Sequence, residues 1–412
     1  MENLRVSEAQ RVILDSITRR DVESVRLERS LSRVLGEDIR ANRDLPPYDV
    51  SAMDGFAVRS ADVARVPVTL QIIEDIKAGD MPTWVVQAGQ CARIMTGAPV
   101  PQGADAVIRV EATQEVTAGC VQIVYAAGAG NDIRPQGESM RNGDVLLKTG
   151  TEITPGVIGV LATAKAAQLA VVSRPSVAIL STGNELEAMA DPVDPNKIPE
   201  SNAYALMAQV QALGIEPVLL GIARDDPVEL ERYLRLGLQY DVLLVSGGTS
   251  VGVHDYVRPT IEKLGVEMKF WRVAIRPGHP LAFGVTNTSA VFGLPGNPVS
   301  SMVCFEEFVV PALRHMMGHR RLYRRTVTAK LAHPVESSPG RTVFIRVQLT
   351  GDGAGYVASS TGTQSSGVLL SMARADALLV VPAGSNGLAV GEDVTVQLLD
   401  GTVFQESIGF RE

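Results

Sequence analysis

Four apolar runs in the middle of the chain each end in a segment rich in glycine, acid or both. Residues 176–180 lead into Thr182, Gly183 and Glu185, and residues 217–222 into Asp225 and Asp226. Residues 241–245 lead into Gly247, Gly248, Ser250 and Asp255, and residues 290–292 into Pro295, Gly296, Asn297 and Pro298. Glycines let backbone N–H groups approach a ligand, and helix N-termini behind such turns favour anions. Carboxylates beside an anion pocket suit a hard divalent cation bridging to phosphate. Asp226 precedes Pro227 and reads first as a helix cap, and Asp225 could simply hold a turn. Glu185 and Asp255 have no such structural duty. Arg276 and His279 flank a glycine-proline turn in IRPGHP. Arginine suits bidentate oxyanion contact, and histidine is a donor whose charge can switch. Asp54 in SAMDG and Thr96 in RIMTGAPVP would, taken singly, be ordinary turn residues.

The elements that position these groups follow from local pattern. Strand, glycine-rich turn and helix repeat four times over residues 175–317, which predicts a parallel sheet with crossover helices. Right-handed crossovers bring all four strand ends to one edge, where open α/β sheets bind ligands. Ser201 is expected to cap a helix carrying Leu206, Val210 and Leu213 and closed by Gly214. Asp226 with Pro227, and Asn297 with Pro298, should start two more helices, the latter with Met302, Phe305 and Val309 on one face. At the start of the chain, Ser7 and Gln10 fit a capping box, with Val12, Ile13 and Ile17 on one face. A second short helix is expected before Gly36. Residues 60–174 read as β-rich, with runs at 68–73 and 106–110, a strand from Gly55, and a helical stretch near 154–166. Residues 318–412 carry β runs at 325–331, 342–349, 377–381 and 394–399, fitting a small barrel or sandwich.

The fold class is therefore α/β plus β and multidomain. We expect a linker domain (1–42 with 142–174), a β-rich inserted domain (43–141), a central doubly wound, mostly parallel domain (175–317) and a C-terminal β barrel (318–412). A net charge of −8 argues against a nucleic-acid partner, which would need a basic surface. Cys91, Cys120 and Cys304 form no disulfide framework or CxxC metal site. No stretch approaches the roughly 20 apolar residues of a membrane span, so no membrane partner and a cytoplasmic location are the default.

The stretches DVSAMDGFAVR (49–59), RIMTGAPVPQGADAV (93–107), STGNEL (181–186), GIARDDP (221–227), SGGTSVGVHDY (246–256), AIRPGHP (274–280) and GLPGNPVS (293–300) resemble, in order, the molybdopterin molybdenumtransferase family, to which bacterial MoeA proteins and the C-terminal part of gephyrin belong. The resemblance implies a homodimer with a composite cleft, and insertion of molybdenum from molybdate into adenylyl-molybdopterin with release of AMP and assistance from Mg²⁺. It implies Asp54 and Thr96 on the partner side of the cleft, and Glu185, Asp225 and Asp255 on the α/β side, with Glu185 and Asp255 holding the metal. Arg134, Thr182, Gly183, Gly247, Gly248, Ser250, Arg276, His279, Pro295, Gly296, Pro298 and Ser366 would bind substrate, Pro295 and Pro298 in the metal-oxyanion region. An upstream molybdopterin adenylyltransferase is a further implied partner. The chain departs from the commonest family pattern at Ser139 and Asn184, where acids are frequent, at Glu200, where an Asp is frequent, and at Arg276 and His279, where many members have lysines. Two rivals remain: a molybdopterin adenylyltransferase-like enzyme, sharing the SGGTS loop but lacking the SAMDG and RIMTGAP domain, and a binding or scaffold protein, which would need none of the acids together.

Overall fold

The computed structural model describes residues 3–248, 256–352 and 355–399. The chain divides into two compact units: one formed by residues 24–31 and 35–170, the other by residues 1–23, 32–34 and 171–412.

The larger unit is built on a six-stranded sheet in the order Val218–Ala223, Val177–Thr182, Val242–Ser246, Ala290–Leu294, Ala282–Val285, Glu267–Phe270. The first four strands are parallel, as expected. The last two correspond to the strand-like runs on either side of Arg276; they are antiparallel and extend the sheet through a hairpin onto Ala290–Leu294. Strand residues alternate between two cores. Val177, Ile179, Val242 and Leu244 face one, with Leu206 and Val210 of the helix Asn202–Ala212 and Val299 and Val303 of the helix Pro298–Cys304. Ala178, Leu180, Leu243 and Val245 face the other, with Leu230 and Leu234 of the helix Pro227–Gly237 and Ile261 of the helix Val257–Lys263. Both faces are thus buried, which is why these strands read as continuous apolar runs.

Helix starts follow the sequence only in part. Asp226 does cap, accepting from Val228 N at 3.0 Å and Glu229 N at 2.8 Å. Ser201 makes no cap bond; the Glu200 carboxylate reaches over it and accepts from Ala203 N at 2.8 Å. The capping box expected of Ser7 and Gln10 does not form. The first helix is Val6–Ser16, and Glu8 takes the Arg5 N–H at 2.8 Å. Gln10 instead donates to the Glu307 carbonyl at 2.9 Å. That carbonyl is the one Pro311, having no N–H, cannot bond in an α-helix. Around it the helix widens into a π turn at Phe305–Val309 before resuming as Val310–Met316. The short helix expected before Gly36 is one 3₁₀ turn, Leu27–Arg29, in the smaller unit.

The C-terminal strands close into a barrel: Thr342–Asp352, Gly355–Ser360, Thr326–Leu331, Asp393–Leu398 and Ala377–Val381, the last pairing back to the first. Gly355–Ser360 was missed in the sequence. A short strand, Ile275–Arg276, joins this barrel parallel to Thr342 and Val343.

The smaller unit holds a six-stranded sheet in the order Ala106–Arg109, Gly55–Val58, Gln90–Ile94, Val68–Ile76, Cys120–Ile123, Thr113–Thr117. Gly55 lies in the second strand, and a Cβ there would stand 1.9 Å from the Ile108 carbonyl oxygen. The glycine of SAMDG is therefore a close-approach residue. Its helix is Pro155–Thr163, with Thr154 accepting from Val157 N at 3.3 Å. Among the described residues no helix is long and apolar enough to cross a membrane.

Candidate functional site

The carboxyl edge of the parallel sheet opens into a cavity of about 790 Å³, and most of the singled-out residues converge on it. Thr182, Gly183 and Glu185 come from the first strand's loop, Asp225 from the second, Gly247 and Gly248 from the third, and Pro295, Gly296 and Pro298 from the fourth. Gly247 has φ +91, and a Cβ there would fall 2.6 Å from the Thr182 carbonyl oxygen. Only glycine lets this loop pass so close to its neighbour. Thr182 is 4% exposed, and its hydroxyl has no hydrogen-bond partner among the described residues. A buried, unpaired hydroxyl costs free energy unless a ligand satisfies it.

The acids at the rim are held differently. The Asp225 carboxylate accepts from Asn184 N at 3.2 Å, while Asp225 N donates to the Asn184 side-chain oxygen at 3.2 Å. This reciprocal clasp uses an amide, and so places no second negative charge beside Asp225 at this position. Lys197 donates to the Asn184 carbonyl, and Arg224 to the Leu186 carbonyl at 2.8 Å; both pin the STGNEL loop. Glu185 is exposed on the cavity, and its carboxylate accepts no hydrogen bond among the described residues. Its free oxygens fit a hard cation shared with a phosphate. Ser250 and Asp255 lie outside the described residues. Among the described residues no group of three or more His, Cys, Asp or Glu is placed to hold a metal unaided.

Arg276, His279 and Ser366 do not join this cavity. They line a second one, of about 580 Å³, against the C-terminal barrel, and Pro280 borders both. Pro295 and Pro298 therefore stand apart from the cations expected to share an oxyanion with them. The His279 Nδ1 lies 2.8 Å from the Val273 carbonyl. A carbonyl can only accept, so the proton sits on Nδ1 and Nε2 remains for a ligand. Sequence reading missed Arg346 here. It is 1% exposed, and among the described residues its guanidinium meets only neutral oxygens: Ser371 Oγ at 3.3 Å, and the Phe344 and Ser365 carbonyls at 3.4 Å each. Burial pulls it down to about 10. With Arg276, Arg341, His279 and His333 against the single acid Glu336, this cavity is cationic. The only sequence signal was a charge inside an otherwise apolar strand, TVFIRVQL.

The smaller unit brings Asp54 and Thr96 together. Asp54 Oδ1 accepts the Thr96 N–H at 2.7 Å and its hydroxyl at 2.8 Å. Those bonds hold the exposed Asp54 carboxyl below the usual carboxylate range. Arg134 lines a separate groove of about 420 Å³ with Tyr48, Met81 and Ser139. Its Nε donates to Glu138 at 2.6 Å, so an acid one position before Ser139 pairs with it.

Glycine loops, a buried unpaired hydroxyl and rim carboxylates at the carboxyl edge of a doubly wound sheet define an anion-binding α/β protein, here carrying a cationic side cavity and a separate β-rich unit. The families described as "MoeA N-terminal region (domain I and II)", "Probable molybdopterin binding domain" and "MoeA C-terminal region (domain IV)" match residues 4–164, 178–315 and 328–399. Molybdopterin molybdenumtransferase of Staphylococcus aureus is 33% identical over 98% of this chain and 97% of its own length. That of Nostoc is 36% identical over 93% and 89%. A solved molybdopterin biosynthesis MoeA protein of Pyrococcus horikoshii superposes with a TM-score of 0.83 at 30% identity, covering 96% of this chain and 100% of its own. The chain belongs to the molybdopterin molybdenumtransferase family.

Proposed function

We propose that this chain inserts molybdenum from molybdate into adenylyl-molybdopterin, releasing AMP and leaving the finished cofactor. The observation that carries this is the unpaired Thr182 hydroxyl, buried among positive-φ glycines with Glu185 and Asp225 at the rim. That surface suits a phosphoanhydride: backbone N–H groups and a hydroxyl donate to its oxygens. Mg²⁺ held by Glu185 with substrate phosphate, and by Asp255 in the same reading, would neutralise charge as AMP leaves. Arg346, Arg276 and His279 would receive molybdate, an oxygen of which would attack the pterin-side phosphorus as the bond to AMP breaks; the two dithiolene sulfurs would then take the metal, leaving that oxygen on the phosphate and a second one to depart as water with the thiol protons. The protein's main task is then to align two anions that repel each other, a proximity effect.

The working unit in this reading is a cytoplasmic homodimer of four-part protomers, with Asp54 and Thr96 of one subunit serving the cleft of the other and an adenylyltransferase supplying the substrate. Incubating the protein with adenylyl-molybdopterin, Mg²⁺ and molybdate and measuring AMP tests the activity; a scaffold releases none. Mixing Asp54→Ala and Glu185→Gln subunits tests the cleft, because each heterodimer would keep one intact site. No recovery after verified subunit exchange rejects it.

A further inference from the structure

The loops of the anion cavity come from different strands, and nothing in the sheet ladder itself fixes their separation beyond the strand ends. Asn202, the first residue of the helix Asn202–Ala212, stands between two of them. Its side-chain nitrogen donates to Ser246 Oγ at 2.8 Å and to the Gly296 carbonyl at 2.8 Å. Ser246 ends one strand and carries Gly247 next in sequence. Gly296 belongs to the loop after the neighbouring strand. Next door, Glu200 Oε1 accepts both Ser181 Oγ at 3.0 Å and Ala203 N at 2.8 Å, which anchors this helix start to a third strand. The turn is therefore fixed at one side and bridges the two loops at the other.

We propose that Asn202 is a positioning residue, whose amide holds the Gly247 and Gly296 loops at the spacing the anion needs. This rests on the functional reading above. The chemistry demands this residue type. A primary amide offers two N–H groups about 120° apart in one plane, one for each loop. An Asp of the same shape has no donor and would set a carboxylate against a carbonyl oxygen. Serine or alanine reaches one loop or neither. The ladder itself reaches only to Gly247 N donating to the carbonyl of Leu294, the last residue of the neighbouring strand, at 3.1 Å, so the side-chain bridge adds two shorter bonds beyond it.

The test compares wild type, Asn202→Asp and Asn202→Ala by hydrogen exchange over residues 244–248 and 294–298, and by AMP release from adenylyl-molybdopterin with Mg²⁺ and molybdate. We expect faster exchange in both loops, with unchanged exchange over residues 206–212 reporting an intact helix. We expect kcat to fall about 10- to 100-fold with KM changed far less, as misplacement of reacting groups predicts, and Asn202→Asp to be the worse of the two. Unchanged exchange in both loops overturns the inference whatever the activity. Faster exchange with wild-type kcat overturns it too, because the spacing would then be irrelevant to turnover. A wild-type protein that releases no AMP defeats the functional reading instead, and the exchange data alone then decide whether Asn202 ties the loops.

Discussion

One carboxylate oxygen of Asp54 takes both hydrogen-bond donors of Thr96, its N–H at 2.7 Å and its hydroxyl at 2.8 Å. The other oxygen, Oδ2, makes no hydrogen bond among the described residues. The pair therefore fixes a charged carboxylate with one face free. Because these bonds hold Asp54 below the usual carboxylate range, it stays ionised throughout the neutral range. We predict that Asp54→Ala abolishes most AMP release, while Thr96→Val, which keeps the N–H bond, loses about 10- to 100-fold, the scale of one hydrogen bond to a charged group. Steady-state AMP assays of both variants check this, and equal losses would mean that the hydroxyl acts in its own right.

Asp225 and Asp226 are adjacent in sequence and differ in duty. Asp226→Ala should cost about 1 kcal/mol through the lost cap and leave turnover intact. Asp225→Ala should break the clasp with Asn184 and lower turnover with a smaller change in stability. Urea midpoints beside AMP assays separate the two, and an inverted pattern would reassign them.

Arg346 is a buried cation with no carboxylate partner among the described residues. Such a group destabilises the free protein unless an anion joins it. Arg346→Met should therefore match or exceed wild type in urea midpoint while binding molybdate at least tenfold more weakly. Calorimetric titration with molybdate gives the second value. Lower stability with unchanged affinity would make Arg346 a purely structural residue.

Glu307 lies in the π turn, buried, and burial raises it from 4.5 to about 8. The Gln397 amide, donating to it at 2.6 Å, opposes that shift, Glu306 adds to it and Arg324 opposes it. Between those two values the folded protein holds a proton that the unfolded chain releases. Stability must then fall as pH rises from 4.5 to 8 and level off above. Glu307→Gln keeps a partner for Gln397 and removes the proton, so its advantage over wild type should grow across that window. Urea midpoints at pH 5, 6.5 and 8 read the difference directly, and a constant difference would refute the linkage.

The sequence alone determined what depends on neighbours along the chain. Continuous apolar runs marked Val177–Thr182, Val242–Ser246 and Ala290–Leu294, which are buried on both faces and so show no alternation; the edge strand Val218–Ala223 gave the same signal but is mostly accessible. Asp226 was legible as a cap because its partners lie two and three positions on. The glycine loops after each parallel strand converge on one edge by the handedness of the crossovers, so nine of the expected binding and rim residues meet in one cavity. Tertiary structure alone decided the rest. Gln10 reads as a capping residue until Glu307, 297 positions away, offers a carbonyl that Pro311 cannot serve. Arg276 and His279 read as oxyanion contacts beside a glycine-proline turn, but that the strand Ile275–Arg276 pairs with the C-terminal barrel and sets them on a second cavity is decided only by the packing. Arg346 shows only as a charge within an otherwise apolar strand, and Asn202 carries no local signal of the role proposed for it. The physical reason is common to all four: a hydrogen-bonding group is defined by the partner it meets, and when that partner lies in another element, only the packing of the elements supplies it.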